Sequence, residues 1–562
     1  MLPTFATALA LLALPFARAA LQACPDLSQS GPDVFDFVVV GAGAGGGPIA
    51  ARLAENGFSD PDTVLAYHIT EFSTPNSRVA WFVYLAIHNA MINIIAGTRT
   101  DFDGIADAFD DQSWSRTNMQ NYFKKIENNQ YLLPTLLTAE DHGFDGWLKT
   151  TLLPYLNLLH DLDIVDLQLL TLYTSVTLSD VPILDLNTVD SDGSEGVNTP
   201  SFTVDTNHIR SSVYNRLTEV HDANENNLNI TLNTLVTKVL LCEGSDGQPT
   251  AYGVEFVPGA ALPVAGNFNG KQNLNGTLRH VMARREVIVS AGVFQSPQLL
   301  MLSGIGNSTE LTKFGIETVV DLPGVGSNLQ DHDEIAIDWK LTEEFKLLEG
   351  CLFLSNRTQD PCLDDWIRSD HQNVYAFNPV LHAIITKSDD ALELPDTMTY
   401  VAPAWFCTAG RGEPQRDERG RPPDAPVLAR DPLDIGKRHF EAPGGEVDLQ
   451  ALVTGLERII ATVEGSLIEL FVEEQAFPPK GANLTQHVLD HVFGHHACCT
   501  NPIGTADDPD AVLDSEFRVR GTDRLRVVDL SSWPNVPGYF VTTPTYMISE
   551  KAADSIMNDA RQ

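Results

Sequence analysis

Asp36-Phe37-Val38-Val39-Val40 runs into Gly41-Ala42-Gly43-Ala44-Gly45-Gly46, and the chain continues through Pro48-Ile49 into Ala50-Ala51-Arg52-Leu53. The apolar run reads as a buried strand, the glycines as a tight turn, and the Ala/Leu segment as the start of a helix. That order is the opening of a dinucleotide-binding βαβ unit. Gly41 and Gly43 permit the turn and a close backbone approach to a pyrophosphate, and Gly46 lets helix pack on strand. The N–H groups at the helix N-terminus then face the phosphate charge. Glycine-rich turns are common by themselves; the strand before this one and the helix after it give it meaning.

A chain of 562 residues with 43% hydrophobic content can bury a large core and is expected to divide into two lobes. Its formal net charge of -39 repels a phosphate backbone, which argues against nucleic acid as a partner and reads as a solvated acidic surface. Leu9 to Phe16 form a short apolar block followed by Ala17-Arg18-Ala19, the pattern of a secretory signal peptide over residues 1–19, although its first residues lack Lys and Arg. No other run approaches the roughly 20 apolar residues of a membrane span, so the expected product is secreted, extracellular and free of the membrane. N-x-S/T sequons at Asn229, Asn275, Asn307, Asn356 and Asn483 agree with export. The seven cysteines are too scattered for a metal cluster, and no metal is expected. Cys351 and Cys362 bracket a short loop that a disulfide could close, whereas the vicinal Cys498 and Cys499 are not expected to pair.

Farther along, Leu235 to Cys242 and Ala251 to Val257 read as two strands joined by a Gly/Asp turn. Glu286 to Val289 is another strand. It leads through Ser290-Ala291-Gly292 into a helix with Pro297 in its first turn, and Leu302-Ser303-Gly304-Ile305-Gly306 follows.

That wording resembles the glucose-methanol-choline (GMC) oxidoreductases, flavoenzymes that use FAD to oxidise alcohols. The resemblance runs from Asp36 to about Ile556. It includes the glycine turn, Trp114 to Phe123, Ser290 to Gly306, Leu322 to His332 (LPGVGSNLQDH) and a C-terminal block. It implies an α/β fold in which a Rossmann-like FAD-binding lobe, from about 33 to 100, 205 to 325 and 490 to 562, interleaves with an α+β substrate lobe. In linear order it implies an N-terminal family region over 33–330, a substrate-lobe segment over 331–430, and a C-terminal region with the catalytic block over 431–562. It also implies Val236 against adenine and Asp529 near the pyrophosphate. The substrate would be a primary alcohol or sugar, with electrons passing through the flavin to O2 or a quinone-like acceptor.

His496-Ala497-Cys498-Cys499-Thr500-Asn501-Pro502-Ile503-Gly504 looks like the family's His-x-x-Gly-Thr-x-x-x-Gly, which makes His496 the general base. An imidazole suits that task because its ordinary pKa lies near working pH. His495 is the competitor; on a strand or tight turn neighbours point apart, so only one should face the flavin. The family's second polar group, ten residues before Glu550, falls here on Phe540, which can neither accept a proton nor donate a hydrogen bond. Tyr539, Thr542 and Thr543 are candidates to replace it. His88-Asn89 resembles the pair that some relatives place beside the isoalloxazine. His88 is therefore a candidate for a covalent bond to FAD and Asn89 for polar contact with the ring, the alternative for His88 being a packing role.

Two departures lie between these motifs. After Glu55-Asn56-Gly57-Phe58-Ser59 the family's second strand and its ribose-binding acid are not evident, and Glu71, after the apolar Val64 to Tyr67, is the nearest substitute. Before His88, bulky Phe82 to Ile87 stand where a Gly-Gly segment is expected. Thr408 to Pro432, rich in Arg, Pro, Gly and Asp, reads as an exposed or disordered stretch. These losses support a second reading, a truncated and catalytically silent chain with impaired FAD binding.

Overall fold

The structure, a computed structural model, describes residues 21–28, 31, 33–56, 92–152, 185–198, 200–223, 227–232, 234–258, 277–342, 351, 360–369, 380, 382–401, 435, 439–465 and 467–561, with the backbone of 64–68. The signal segment, Glu71, Phe82 to Ile87, His88, Asn89, Asn275, Asn356 and Thr408 to Pro432 lie outside the described residues.

The glycine-turn stretch folds as read. Val34–Val40 is strand β1 and Gly46–Glu55 is helix α1. Phe37 through Val40 have no exposed surface, as befits a strand covered on both faces, and each such side chain contributes about 1.5–3 kcal/mol by leaving water. Val64–His68 forms β2, Leu228–Leu232 β3, Thr234–Glu243 β4, Pro249–Pro258 β5, Arg279–Val289 β6 and Leu525–Val527 β7. Their order is β3-β2-β1-β6-β5-β4, with β7 also on β6. The strands β3, β2, β1, β6 and β7 run parallel, while β5 is antiparallel to both β6 and β4. This is the expected α/β, Rossmann-like arrangement.

Register decides where the site lies. Val40 pairs with Val289 and Val289 with Val527, so β1, β6 and β7 end level with one another and the turns that follow them share one edge of the sheet. In open parallel sheets that carboxyl edge is where a ligand binds. The second parallel strand, which the sequence does not make evident, is present: β2 lies beside β1 with Val39 opposite Ala66. Five residues suffice for it because the parallel ladders to β1 and β3 supply what a short run lacks in pattern. Gln295–Leu302 follows β6 as helix α2, with Pro297 in its first turn. Thr542–Arg561 closes the chain as α3 and is tied to α1 by Arg52 with Glu550 and by Arg52 Nη2 to Asp554 Oδ1 at 2.7 Å.

Gly196–Asn198, His382–Thr386 and Thr397–Val401 pair as a separate, smaller sheet. Its apolar cluster includes Ile94, Leu186, Phe202 and Ile385, and Tyr539 and Phe540 pack against it. The segment between β7 and α3 thereby touches this cluster as well as the main core, where Trp533 and Val536 lie. Cys351 pairs with Cys362 as expected, and a second bridge, Cys24 to Cys242, fastens the N-terminal segment to β4. Contrary to expectation, Cys498 and Cys499 are bonded to each other. Cys499 takes φ +77°, so the chain turns there instead of sending neighbouring side chains to opposite sides.

Candidate active site

The glycine turn is a cradle. Gly41 takes φ +103°, a left-handed conformation natural only to glycine, and a Cβ there would sit 2.1 Å from the Ser290 carbonyl oxygen. A Cβ on Gly46 would meet the Gly41 oxygen at 2.0 Å, so this position brings helix and strand together. A Cβ on Gly43 would meet no atom within 4 Å, which leaves its face open for a ligand to approach the backbone. Helix α1 has no side-chain cap and no acid in its first turn, a terminus suited to an anion. These features fit a dinucleotide pyrophosphate.

Asp529 follows β7, and its backbone presses on the turn: a Gly45 Cβ would lie 2.8 Å from the Asp529 Cα. Its carboxylate is buried and holds the neighbouring turns, Oδ2 accepting from Gly292 N at 2.9 Å and Ser296 Oγ at 2.5 Å, and Oδ1 from Ser531 N at 2.8 Å. Val236 lies buried on β4, opposite Phe256 of β5. The sheet brings Gly41, Gly43, Gly46 and Asp529 to one edge; His88 and Asn89 are outside the described residues.

The histidine site is built by an antiparallel bridge between Gln330 and Cys498, which exchange backbone hydrogen bonds of 3.2 and 2.8 Å. Two residues on along one strand and two back along the other, the same register sets His332 opposite His496. Their Nδ1 atoms are 2.8 Å apart and the rings meet edge to face. Desolvation holds His332 below the ordinary histidine pKa, opposed by Glu334, Asp331 and a hydrogen bond to the Gly538 backbone. Asp331 Oδ1 accepts from the His496 backbone N–H at 2.7 Å. His496 is buried, and the edge of Phe540 meets its ring at 5.3 Å between centroids.

His495 and His496 do not point apart as an extended strand requires. Their ring centroids are 4.3 Å apart, because the chain bends at His495 instead of continuing as a strand. His495 Nδ1 lies 2.8 Å from Glu334 Oε1, and Tyr400 donates to Glu334 Oε2 at 2.7 Å. Glu334, His495 and His496 each place a ligand atom within 4.8 Å of the others. Of the candidates to replace a polar group at Phe540, Tyr539 donates to the Pro395 carbonyl at 3.1 Å, Thr543 to Asn93 Oδ1 at 2.9 Å, and Thr542 opens α3. Reading the sequence missed His332 and Glu334. His332 closes the Leu322 to His332 stretch, but its partner lies 164 residues away and only strand pairing discloses it.

Comparison with known proteins agrees with this architecture. The GMC oxidoreductase N-terminal and C-terminal family patterns match residues 89–334 and 427–549. The chain is 32% identical to an oxygen-dependent choline dehydrogenase of Vibrio vulnificus over 51% of its own length and about half, 53%, of that enzyme's. It is 25% identical to the oxidoreductase cicC of Emericella nidulans over 94% of each chain. Its fold is similar to that of an Aspergillus oryzae formate oxidase variant studied for FAD modification, with a TM-score of 0.72 at 19% identity, covering 95% of this chain and all of that one. With the glycine cradle at the carboxyl edge of the sheet and both family regions present, the chain belongs to the GMC oxidoreductases, a family of FAD-dependent enzymes.

Proposed function

We propose that this chain oxidises the CH–OH group of a primary alcohol or sugar, with His496 as general base and O2 or a quinone-like compound as final electron acceptor. FAD, when bound, supplies the hydride acceptor; Gly41, Gly43 and Gly46 would hold its pyrophosphate, with Asp529 bracing that turn and Val236 toward the adenine. His88 and Asn89 remain the proposed ring contacts, His88 as covalent attachment. The FAD-binding lobe is drawn from about 33–100, 205–325 and 490–562, the rest forming the substrate lobe.

The observation that carries the role of His496 is its contact with His332. A His332 ring kept neutral by desolvation and donating one N–H to the Gly538 carbonyl has its Nδ1 lone pair left to accept from His496 Nδ1–H. His496 then carries its proton on Nδ1 and directs the Nε2 lone pair to a substrate hydroxyl. Phe540 keeps water from that side of the ring. His495, hydrogen-bonded to Glu334, is engaged elsewhere. Anaerobic rapid mixing of the FAD-loaded protein with an alcohol panel tests this. His496→Ala should slow flavin reduction by ~10²–10⁴-fold while His495→Ala leaves most of it, and the opposite ranking would overturn the assignment.

Secretion is part of the proposal. It rests on the leader-like residues 1–19, on bridges typical of oxidising compartments, and on sequons at Asn229, Asn307 and Asn483. Among the described residues no helix is long and apolar enough to cross a membrane. One observation favours the silent-chain reading: the side chain packed edge-on against His496 is a phenyl ring. Purified protein without flavin colour after expression with excess FAD would decide for it.

A further inference from the structure

We propose that Glu334, His495 and His496 form a binding site for a divalent transition metal ion of the Zn2+ type, separate from any role in FAD binding. The three side chains offer two imidazole nitrogens and one carboxylate oxygen within 4.8 Å of one another, from a site that is half-buried to buried. Tetrahedral zinc with bonds of about 2.0–2.2 Å holds its ligand atoms about 3.3–3.6 Å apart, so closure requires only small side-chain rotations. One edge of that triangle is already shorter: His495 Nδ1 and Glu334 Oε1 are 2.8 Å apart, held by a proton that a metal ion would displace into solvent.

The surroundings are those of a ligand set held in place. Tyr400 donates to the second Glu334 oxygen at 2.7 Å, Asp331 accepts from the His496 backbone at 2.7 Å, and His332 meets His496 Nδ1 at 2.8 Å. With Nδ1 turned to His332, His496 contributes Nε2. Outer-shell hydrogen bonds of this kind fix ring orientation and tautomer in metal sites. Two imidazoles and one carboxylate select zinc and its neighbours in the transition series over Mg2+ and Ca2+, which prefer oxygen donors. A ligand position left to water completes four-coordination. A metal there uses the lone pair assigned above to proton abstraction, so it would inhibit alcohol oxidation. That consequence rests on His496 being the base; the binding itself does not.

The test is equilibrium dialysis of the full chain, first stripped with chelator, against Zn2+, with metal analysis and far-UV circular dichroism on every variant. The expected result is about one Zn2+ per chain, with affinity falling at least ~10–100-fold in Glu334→Gln and in His495→Ala. His491→Ala should bind as the wild type does, because His491 sits on the helix Leu484–His491 and packs with His487 and Phe477 instead. Should Glu334→Gln fail to fold, His495→Ala, whose side chain is 33% exposed, decides the matter. Stoichiometry well below one in the wild type, or affinity unchanged in folded His495→Ala, would overturn the proposal. Flavin reduction in the metal-free protein is measured separately, so loss of the zinc site and loss of the base assignment are told apart.

Discussion

His142 shows how far a single residue's environment can carry it from its ordinary chemistry. Its side chain is 2% exposed, with Nδ1 2.8 Å from Glu127 Oε2 and Nε2 3.1 Å from Asp185 Oδ2. Desolvation pulls its pKa down, but hydrogen bonds and charge from Asp185 and Glu127 prevail and push it up to about 10. The folded value is above the unfolded one of about 6.5. The stability it contributes is therefore fully present below about pH 6.5 and is lost as pH rises through about 10. The amount is on the order of a few kcal/mol. Urea unfolding at pH 6 and pH 10 should show a larger fall for the wild type than for His142→Gln. The variant should also be less stable at pH 6 by about 3–5 kcal/mol, since the buried Glu127 and the half-buried Asp185 lose their counter-charge. Equal pH slopes in the two proteins would refute the clamp.

At the scale of the element, the strand-turn-helix of residues 34–55 separates two kinds of glycine. Gly46 is needed by the fold, because an added Cβ would lie 2.9 Å from Val39 Cγ1 and closer still to the Gly41 oxygen. Gly46→Ala should lower chain stability by about 1–3 kcal/mol, read from thermal unfolding. Gly43 is different, since a Cβ there meets nothing within 4 Å of the protein itself. Gly43→Ala should leave stability of the FAD-free chain within about 0.5 kcal/mol of wild type and, in a His88→Ala background where FAD is held reversibly, weaken FAD retention on dialysis. Unchanged FAD retention would show that the pyrophosphate does not approach Gly43. This element was legible from sequence because its signals are local: apolar run, glycine turn, helix start. Strand β2 was not, as five residues with weak pattern are fixed as a strand by ladders to β1 and β3 that are formed at a distance.

For the whole molecule, cofactor attachment has the sharpest test. The sequence lacks evident candidates for the ribose acid other than Glu71, and bulky residues precede His88. Several cofactor hydrogen bonds, worth about 0.5–3 kcal/mol each, therefore have no evident counterpart in the sequence. A bond from His88 to the flavin would make occupancy independent of that affinity. We expect acid precipitation of the purified protein to leave yellow colour on the pellet and His88→Ala to release it to the supernatant. Free flavin from the wild type would reduce His88 to a packing residue while keeping the oxidoreductase reading, whereas a colourless protein supplied with excess FAD would favour the silent chain.

The sequence by itself determined the α/β class, the strand, glycine turn and helix of residues 34–55, the strands β4, β5 and β6, and the family. Each rests on residues close together in the chain, or on motifs in a fixed order. Tertiary structure alone decided which groups meet at His496. The bridge between Gln330 and Cys498 sets His332 against His496, the bend at His495 turns two neighbouring rings toward each other, and Glu334 and Tyr400 arrive from other segments. The turn at Cys499 likewise closed a bond between cysteines that an extended chain would hold apart. The physical reason is the same in each case. Side-chain direction and pairing register depend on long-range strand contacts and on local φ and ψ, and neither is written in the identity of the residues concerned.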